Sequence, residues 1–114
     1  MTIRRICLTP TDSENYDPEY NITVDLDLLD SGVPTNRMTA FGVRGGLSQN
    51  ATNIEPFLLF ADGSGDFGSG WEEERDFHFN LRGTGRAVMI GELFTYKCGG
   101  EEITYRVTQV IDLQ

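Results

Sequence analysis

The segment from Asp62 to Glu74 holds the highest concentration of side chains that could do chemistry. It reads Asp-Gly-Ser-Gly-Asp-Phe-Gly-Ser-Gly-Trp-Glu-Glu-Glu, so five carboxylates share a glycine-rich stretch with the only tryptophan of the chain. Carboxylate oxygens on a flexible backbone are the ligands that a hard cation such as calcium takes. The segment therefore predicts either a calcium site or an acidic turn between two strands.

A calcium loop of the helix-loop-helix kind would use positions one, three, five and twelve of this segment. Asp62, Ser64, Asp66 and Glu73 occupy those positions. The same pattern requires flanking helices and a glycine at position six, where the chain has Phe67. A cation site would therefore be built by a loop of a β-sheet protein. Its predicted ligands are Asp62, Asp66 and Glu73, and calcium is the one candidate cofactor.

Trp71 and the three glutamates after it suggest a second use of the same segment. Tryptophan is enriched at the energetic centres of protein interfaces, but it also often covers the open end of a β-core. Two aspartates on the polar face of an early strand extend the acidic surface that a basic partner would contact. The predicted partner-binding residues are Trp71, Glu72, Glu73, Glu74, Asp25 and Asp27.

The remaining residues give little basis for catalysis. His78 is the only histidine, and alternation places it with Asp76 and Asn80 on the outer face of a strand. Such a row could bind a metal or transfer a proton, but a solvated strand face has the same order. The letters from Gly63 to Gly68 match a dinucleotide-binding motif, yet no helix is predicted after them. We therefore predict a protein that is not an enzyme.

Net charge limits the class of partner. The 114 residues carry a formal charge of −9, which repels nucleic acid and anionic membranes. No apolar run approaches the roughly 20 residues that cross a bilayer. We expect a cytoplasmic protein whose partner is another protein with a basic surface, or a second copy of the chain.

The two cysteines, Cys7 and Cys98, lie near opposite ends of the chain and form no Cys-x-x-Cys pair. Without a predicted secretory signal, this favours two thiols in a reducing compartment. A disulfide would be compatible with the geometry only if the two terminal strands were neighbours.

A period of two dominates the chain and predicts β-strands. Apolar and polar residues alternate over residues 22–28, 76–81 and 103–108. Less regular extended segments cover residues 2–9, 37–44, 56–61 and 86–97, the last with a bend at Gly91, so the count is about seven strands. No stretch shows an apolar stripe at helical spacing.

Glycine-containing breaks separate these strands. Cys98-Gly99-Gly100-Glu101 predicts a tight hairpin, and Gly83-Thr84-Gly85 predicts another. Short strands joined by glycine turns indicate an all-β fold, either a single small antiparallel β-sandwich or a partly open barrel, with little or no helix. We expect one domain over residues 1–114, with an acidic loop or arm at 10–20. The predicted core aromatic residues are Phe41, Phe57, Phe60, Phe77, Phe79, Phe94 and Tyr105.

The sequence as a whole predicts a non-catalytic acidic protein-binding module. By elimination, it would be an accessory, inhibitor or immunity-type protein of bacterial or phage origin that docks on a partner. Two alternatives stay open. One is a calcium-dependent β-sandwich domain that binds a ligand through residues 62–76, and the other is a homo-oligomeric virion or structural subunit joined through edge strands.

Overall fold

The computed structural model describes residues 2–12, 14–16, 20–45, 54–68 and 76–113. Eight antiparallel strands follow one another in chain order and close into a small barrel, in which the last strand pairs with the first. They are β1 (Thr2–Pro10), β2 (Ile22–Leu28), β3 (Ala40–Arg44), β4 (Glu55–Leu59), β5 (Ser64–Asp66), β6 (Phe77–Phe79), β7 (Leu93–Cys98) and β8 (Glu101–Asp112). The predicted all-β fold is confirmed.

Because successive strands run in opposite directions, the connections divide between two ends of the barrel. We call the end with the β1–β2, β3–β4, β5–β6 and β7–β8 connections the upper end. The lower end carries the loops 29–39, 60–63 and 80–92. No helix in the described part of the chain has the length and apolar character needed to cross a bilayer.

The strands and hairpins differ from the sequence prediction in their number, in one set of bounds and in one connection. The eighth strand is β5, which has three residues within the glycine-rich segment and is too short to show a period. The segment 86–97 is not one extended strand, because only Leu93–Cys98 pairs with β8. The hairpin predicted at Gly83-Thr84-Gly85 is wrong for the same reason, since these residues belong to a long loop between β6 and β7. The hairpin at Gly99-Gly100 is confirmed by the pairing of Cys98 with Glu101.

The core is made by the inward residues of all eight strands and is rich in aromatic rings. Five of the predicted core aromatic residues are buried, and Tyr96 joins them. Neighbouring rings pack mostly edge to face or tilted, with centroids 4.9–6.1 Å apart, as aromatic pairs prefer. The confirmed core aromatic residues are Phe57, Phe77, Phe79, Phe94 and Tyr105.

Phe41 and Phe60 are not core residues, so this part of the prediction is wrong. Phe41 is 53% exposed and Phe60 is 37% exposed. Phe41 stands between Ala40 and Gly42, which both face inward, so the period of two forces its ring to the outside. Phe60 follows the buried Leu59 and lies on the outer face by the same alternation.

Two inward glycines make room for two core rings on the next strand. Gly42 on β3 pairs with Phe57 on β4, and Gly65 on β5 pairs with Phe77 on β6. A methyl group at either glycine would overlap the ring opposite. Each ring therefore covers the backbone of its cross-strand neighbour, which is how aromatic residues stabilise glycine in a sheet.

We expect Gly65→Ala to destabilise the barrel by about 1–3 kcal/mol, because the added methyl group must displace the Phe77 ring from a packed core. Urea unfolding followed by circular dichroism measures the change. Gly100→Ala is the matched control, since a Cβ there meets no atom within 4 Å and should change stability by less than about 0.5 kcal/mol. Equal stabilities for Gly65→Ala and the parent protein would contradict the ring-over-glycine packing.

Candidate functional site

The outer side of β4 is apolar along its whole length. Pro56 and Leu58 of the strand and the flanking residues Ile54 and Phe60 are all exposed, while the alternate residues point inward. An antiparallel sheet that faces water ordinarily carries polar side chains on its outer positions. Four successive apolar outer positions therefore distinguish this strand from a solvated strand face.

Strand β3 extends this apolar surface sideways. Phe41 lies directly opposite Leu58, and Val43 lies opposite Pro56. We call Phe41, Val43, Ile54, Pro56, Leu58 and Phe60 the β3–β4 face. Within the described strand pairs, Phe41 and Leu58 are the only two large exposed apolar residues that face each other. Contiguous exposed apolar surface is typical of protein interaction sites, whereas single exposed apolar residues are ordinary.

Charged groups border this face on both sides. On β2, Asp25 lies opposite Phe41 and accepts hydrogen bonds from Arg5 Nε at 3.0 Å and Nη2 at 3.2 Å. A hollow of about 80 Å³ lies between this ion pair and the side chains of β3. On β5, Asp66 lies opposite Leu58. The apolar surface is thus bordered by a neutralised ion pair on one side and by a carboxylate on the other.

The two predicted partner-binding aspartates of β2 have different surroundings. Asp25 lies at the border of the β3–β4 face. Asp27 is only 8% exposed, because the loop 29–39 folds over the outer side of β2. Its carboxylate accepts a hydrogen bond from Thr35 Oγ1 at 3.0 Å and pairs with Arg37 Nε at 3.4 Å. Asp27 therefore anchors this loop, and its part in binding a partner stays a prediction.

The other predicted partner-binding residues are Trp71, Glu72, Glu73 and Glu74. They lie outside the described residues, so their part in binding stays a prediction.

The predicted cation ligands Asp62 and Asp66 close turns of their own loop. Asp62 Oδ1 accepts hydrogen bonds from the Ser64 backbone N at 2.9 Å and from Ser64 Oγ at 2.6 Å. Asp66 Oδ1 accepts one from Gly68 N at 2.6 Å. No three His, Cys, Asp or Glu side chains in the described ranges are grouped closely enough to hold a metal ion. The third predicted ligand, Glu73, lies outside those ranges, so the calcium site stays a prediction.

His78 is exposed on the outer side of β6, as its alternation predicts. It pairs with Ser64 on β5 and Lys97 on β7. The Ser64 hydroxyl donates to Asp62 and so is not oriented toward the imidazole. Asn80 Oδ1 accepts a hydrogen bond from Thr95 N at 2.7 Å, so its side chain supports the start of β7.

Cys7 and Cys98 are both half-buried thiols.

The upper mouth of the barrel holds a polar cluster that the sequence analysis did not find. Arg44 and Glu55 pair across β3 and β4, and Arg44 Nη2 donates to Glu55 Oε1 at 3.2 Å. Arg44 Nη1 donates to the Tyr96 hydroxyl at 3.2 Å. The guanidinium also lies 5.0 Å from the ring centroid of Phe67, a cation–π distance. In the sequence, the only sign of this cluster was the pair of opposite charges, Arg44 at the end of β3 and Glu55 at the start of β4.

Two phenols complete this end of the core. Tyr96 and Tyr105 are buried, and Tyr105 donates its hydroxyl hydrogen to the Tyr20 carbonyl oxygen at 2.6 Å. Burial raises the pKa of both phenols well above their ordinary value, since a phenolate would lose its hydration, and Arg44 opposes this effect only in part. Both tyrosines are therefore neutral members of the core.

We expect alkaline unfolding to be coupled to these two phenols. A raised pKa in the folded state means that stability is fully present below the unfolded pKa of about 10 and decreases as pH rises above it. Each phenol should remove up to about 1.4 kcal/mol of unfolding free energy per pH unit. The tyrosinate absorbance that belongs to these two phenols and the circular dichroism signal, followed together, should change in one transition.

The variants Tyr96→Phe and Tyr105→Phe serve as controls, since each should reduce the pH dependence by the share of one phenol. Ionisation of all tyrosines near pH 10 with the barrel still folded would contradict the burial of these hydroxyls.

Comparison with known proteins adds no relative: no family model matches the chain, and neither the curated proteins nor the solved structures contain a significant match.

Proposed function

We propose that this protein is a non-catalytic module that docks on another protein through the β3–β4 face. The observation that carries the proposal is the outward pairing of Phe41 with Leu58 beside a strand whose outer positions are all apolar. Full burial of a large apolar side chain contributes about 1.5–3 kcal/mol. Because the residues of this face are about half exposed, a substantial part of that free energy of burial can still be gained when a partner covers them.

Charge favours a basic partner over a second copy of the chain. The chain carries a net charge of −9, so two copies would repel each other as they approach. A partner with Lys and Arg around an apolar centre would be attracted and oriented by the same field. Asp66 at the border of the face and Asp62 just beyond the end of β4 are carboxylates that such a rim would meet. An accessory, inhibitor or immunity-type role in a bacterium or a phage is consistent with such a module.

The test uses a variant that replaces both facing residues, Phe41→Thr with Leu58→Thr. Threonine suits outward strand positions, so the fold should be kept. The first step is affinity capture compared between the parent and the variant, and the second is calorimetry with the recombinant captured protein. We expect a partner with a basic surface whose dissociation constant increases at least about tenfold in the variant, since interface centres carry most of the binding energy.

The matched control is Met89→Thr with Ile90→Thr, which removes two exposed apolar side chains of the lower loop 80–92. This control should bind as tightly as the parent protein. Equal loss of binding in both double variants would overturn the proposal. So would a captured partner whose dissociation constant is unchanged by the Phe41 and Leu58 substitutions. Sedimentation that shows a stable dimer broken only by these substitutions would instead assign the face to self-association and overturn the basic partner.

A further inference from the structure

A cavity of about 550 Å³ opens at the lower end of the barrel. Its walls come from three loops that are far apart in the sequence, namely 29–39, 60–63 and 80–92. The lining residues are Val33, Pro34, Asn36, Ala61, Asp62, Gly83 and Gly85. A volume of this size lies within the range of small-molecule sites.

One buried arginine of loop 80–92 holds this loop against loop 29–39 and the end of β4, from which loop 60–63 starts. Arg82 is 3% exposed and donates from Nη1 to the Leu59 carbonyl oxygen at 2.7 Å. From Nη2 it donates to the carbonyl oxygens of Thr35 at 2.7 Å and Met38 at 2.8 Å. These bonds join loops 29–39 and 80–92 to the end of β4. The cavity is therefore preformed, because its walls share a hydrogen-bonded support.

Close backbone contact completes the cavity wall. Gly83 has a φ of +91°, and a Cβ at this position would lie 2.7 Å from the Asp62 carbonyl oxygen. The 80–92 loop can approach the 60–63 turn this closely only because residue 83 has no side chain. The backbone of Asp62 therefore packs directly against Gly83.

The chemistry of the lining favours a cation with an apolar stem. Among the described residues that line the cavity, Asp62 is the one that carries a charge. The hydrogen bonds from the Ser64 hydroxyl and backbone N lower the pKa of Asp62, so the carboxylate stays ionised at neutral pH. Asn36 adds a carboxamide, and Val33, Pro34 and Ala61 add apolar surface. Arg82 lies behind the wall and is not part of the lining.

The β3–β4 face and the cavity use consecutive residues of the chain. The outer row of β4 ends at Phe60, and a turn closed by the hydrogen bond from Gly63 N to Phe60 O at 3.0 Å brings Ala61 and Asp62 next in line. A chain segment that lies along β4 would therefore reach the cavity at its lower end.

We propose that this cavity binds an alkyl guanidinium or alkyl ammonium group, with Asp62 as the anionic partner and the apolar wall against the alkyl stem. In the complex described under the proposed function, on which this part rests, the group is a Lys or Arg side chain of the docked protein. The same chemistry would also accept a free small organic cation.

The direct test is a two-dimensional amide NMR titration of the whole chain with n-butylguanidinium. We expect saturable shifts at the backbone amides of Asn36, Ala61, Gly83 and Gly85, with a dissociation constant in the millimolar range. Neutral n-butylurea should bind at least about fivefold more weakly. Asp62→Asn should weaken n-butylguanidinium to a similar degree, and the matched variant Asp76→Asn, at an exposed acid outside the cavity, should not.

The proposal is overturned if n-butylurea binds as tightly as n-butylguanidinium, if no saturable shift occurs at these amides, or if Asp62→Asn binds like the parent protein. This titration contains no partner, so its result does not depend on the β3–β4 face. Conversely, failure of the Phe41 and Leu58 substitutions to weaken a partner would overturn only the proposed function. If Asp62→Asn also weakens that partner, the bound group is a side chain of the partner. If it does not, the cavity serves a free cation.

Discussion

The volume enclosed by the eight strands is the constraint on which the other features depend. Aromatic rings fill so much of this interior that glycine stands opposite two of them, at the pairs Gly42–Phe57 and Gly65–Phe77. The inward place of Gly42 in turn fixes its neighbour Phe41 on the outer surface. The apolar outer face is therefore a direct consequence of how the core is filled, because the same alternation that buries one ring exposes the next.

Much of the fold could be predicted from local pattern. Alternation over residues 22–28 and 103–108 identifies two strands and their buried sides correctly, and the double glycine at 99–100 gives the final hairpin. The inward or outward direction of Phe41 could not be obtained this way. A phenylalanine in a strand is ordinarily a core residue, and only the pairing of Gly42 with Phe57 shows that the inner space is already taken.

The candidate site was less accessible to sequence reasoning than the fold, for a different physical reason. Alternation put Asp27 on the outer side of β2, but loop 29–39 folds back over that side, and Thr35 of this loop binds and helps to bury the Asp27 carboxylate. The cavity near Asp62 needs three loops and the hydrogen bonds of Arg82. Such contacts join residues distant in the sequence, and no local period reports them. From the sequence, Asp62 was predicted to bind a metal cation. In the cavity proposal it binds an organic cation.

The pairing of β1 with β8 has a consequence for synthesis of the protein. The seam runs from Arg4 with Asp112 to Pro10 with Tyr105, so it joins the first strand of the barrel to the last, and β8 is made after the other seven strands. Until β8 has emerged, β1 has one unpaired edge, which is a template for pairing with other nascent chains. Closure of the barrel therefore has to wait for β8, and a chain truncated before β8 would leave that edge of β1 uncovered.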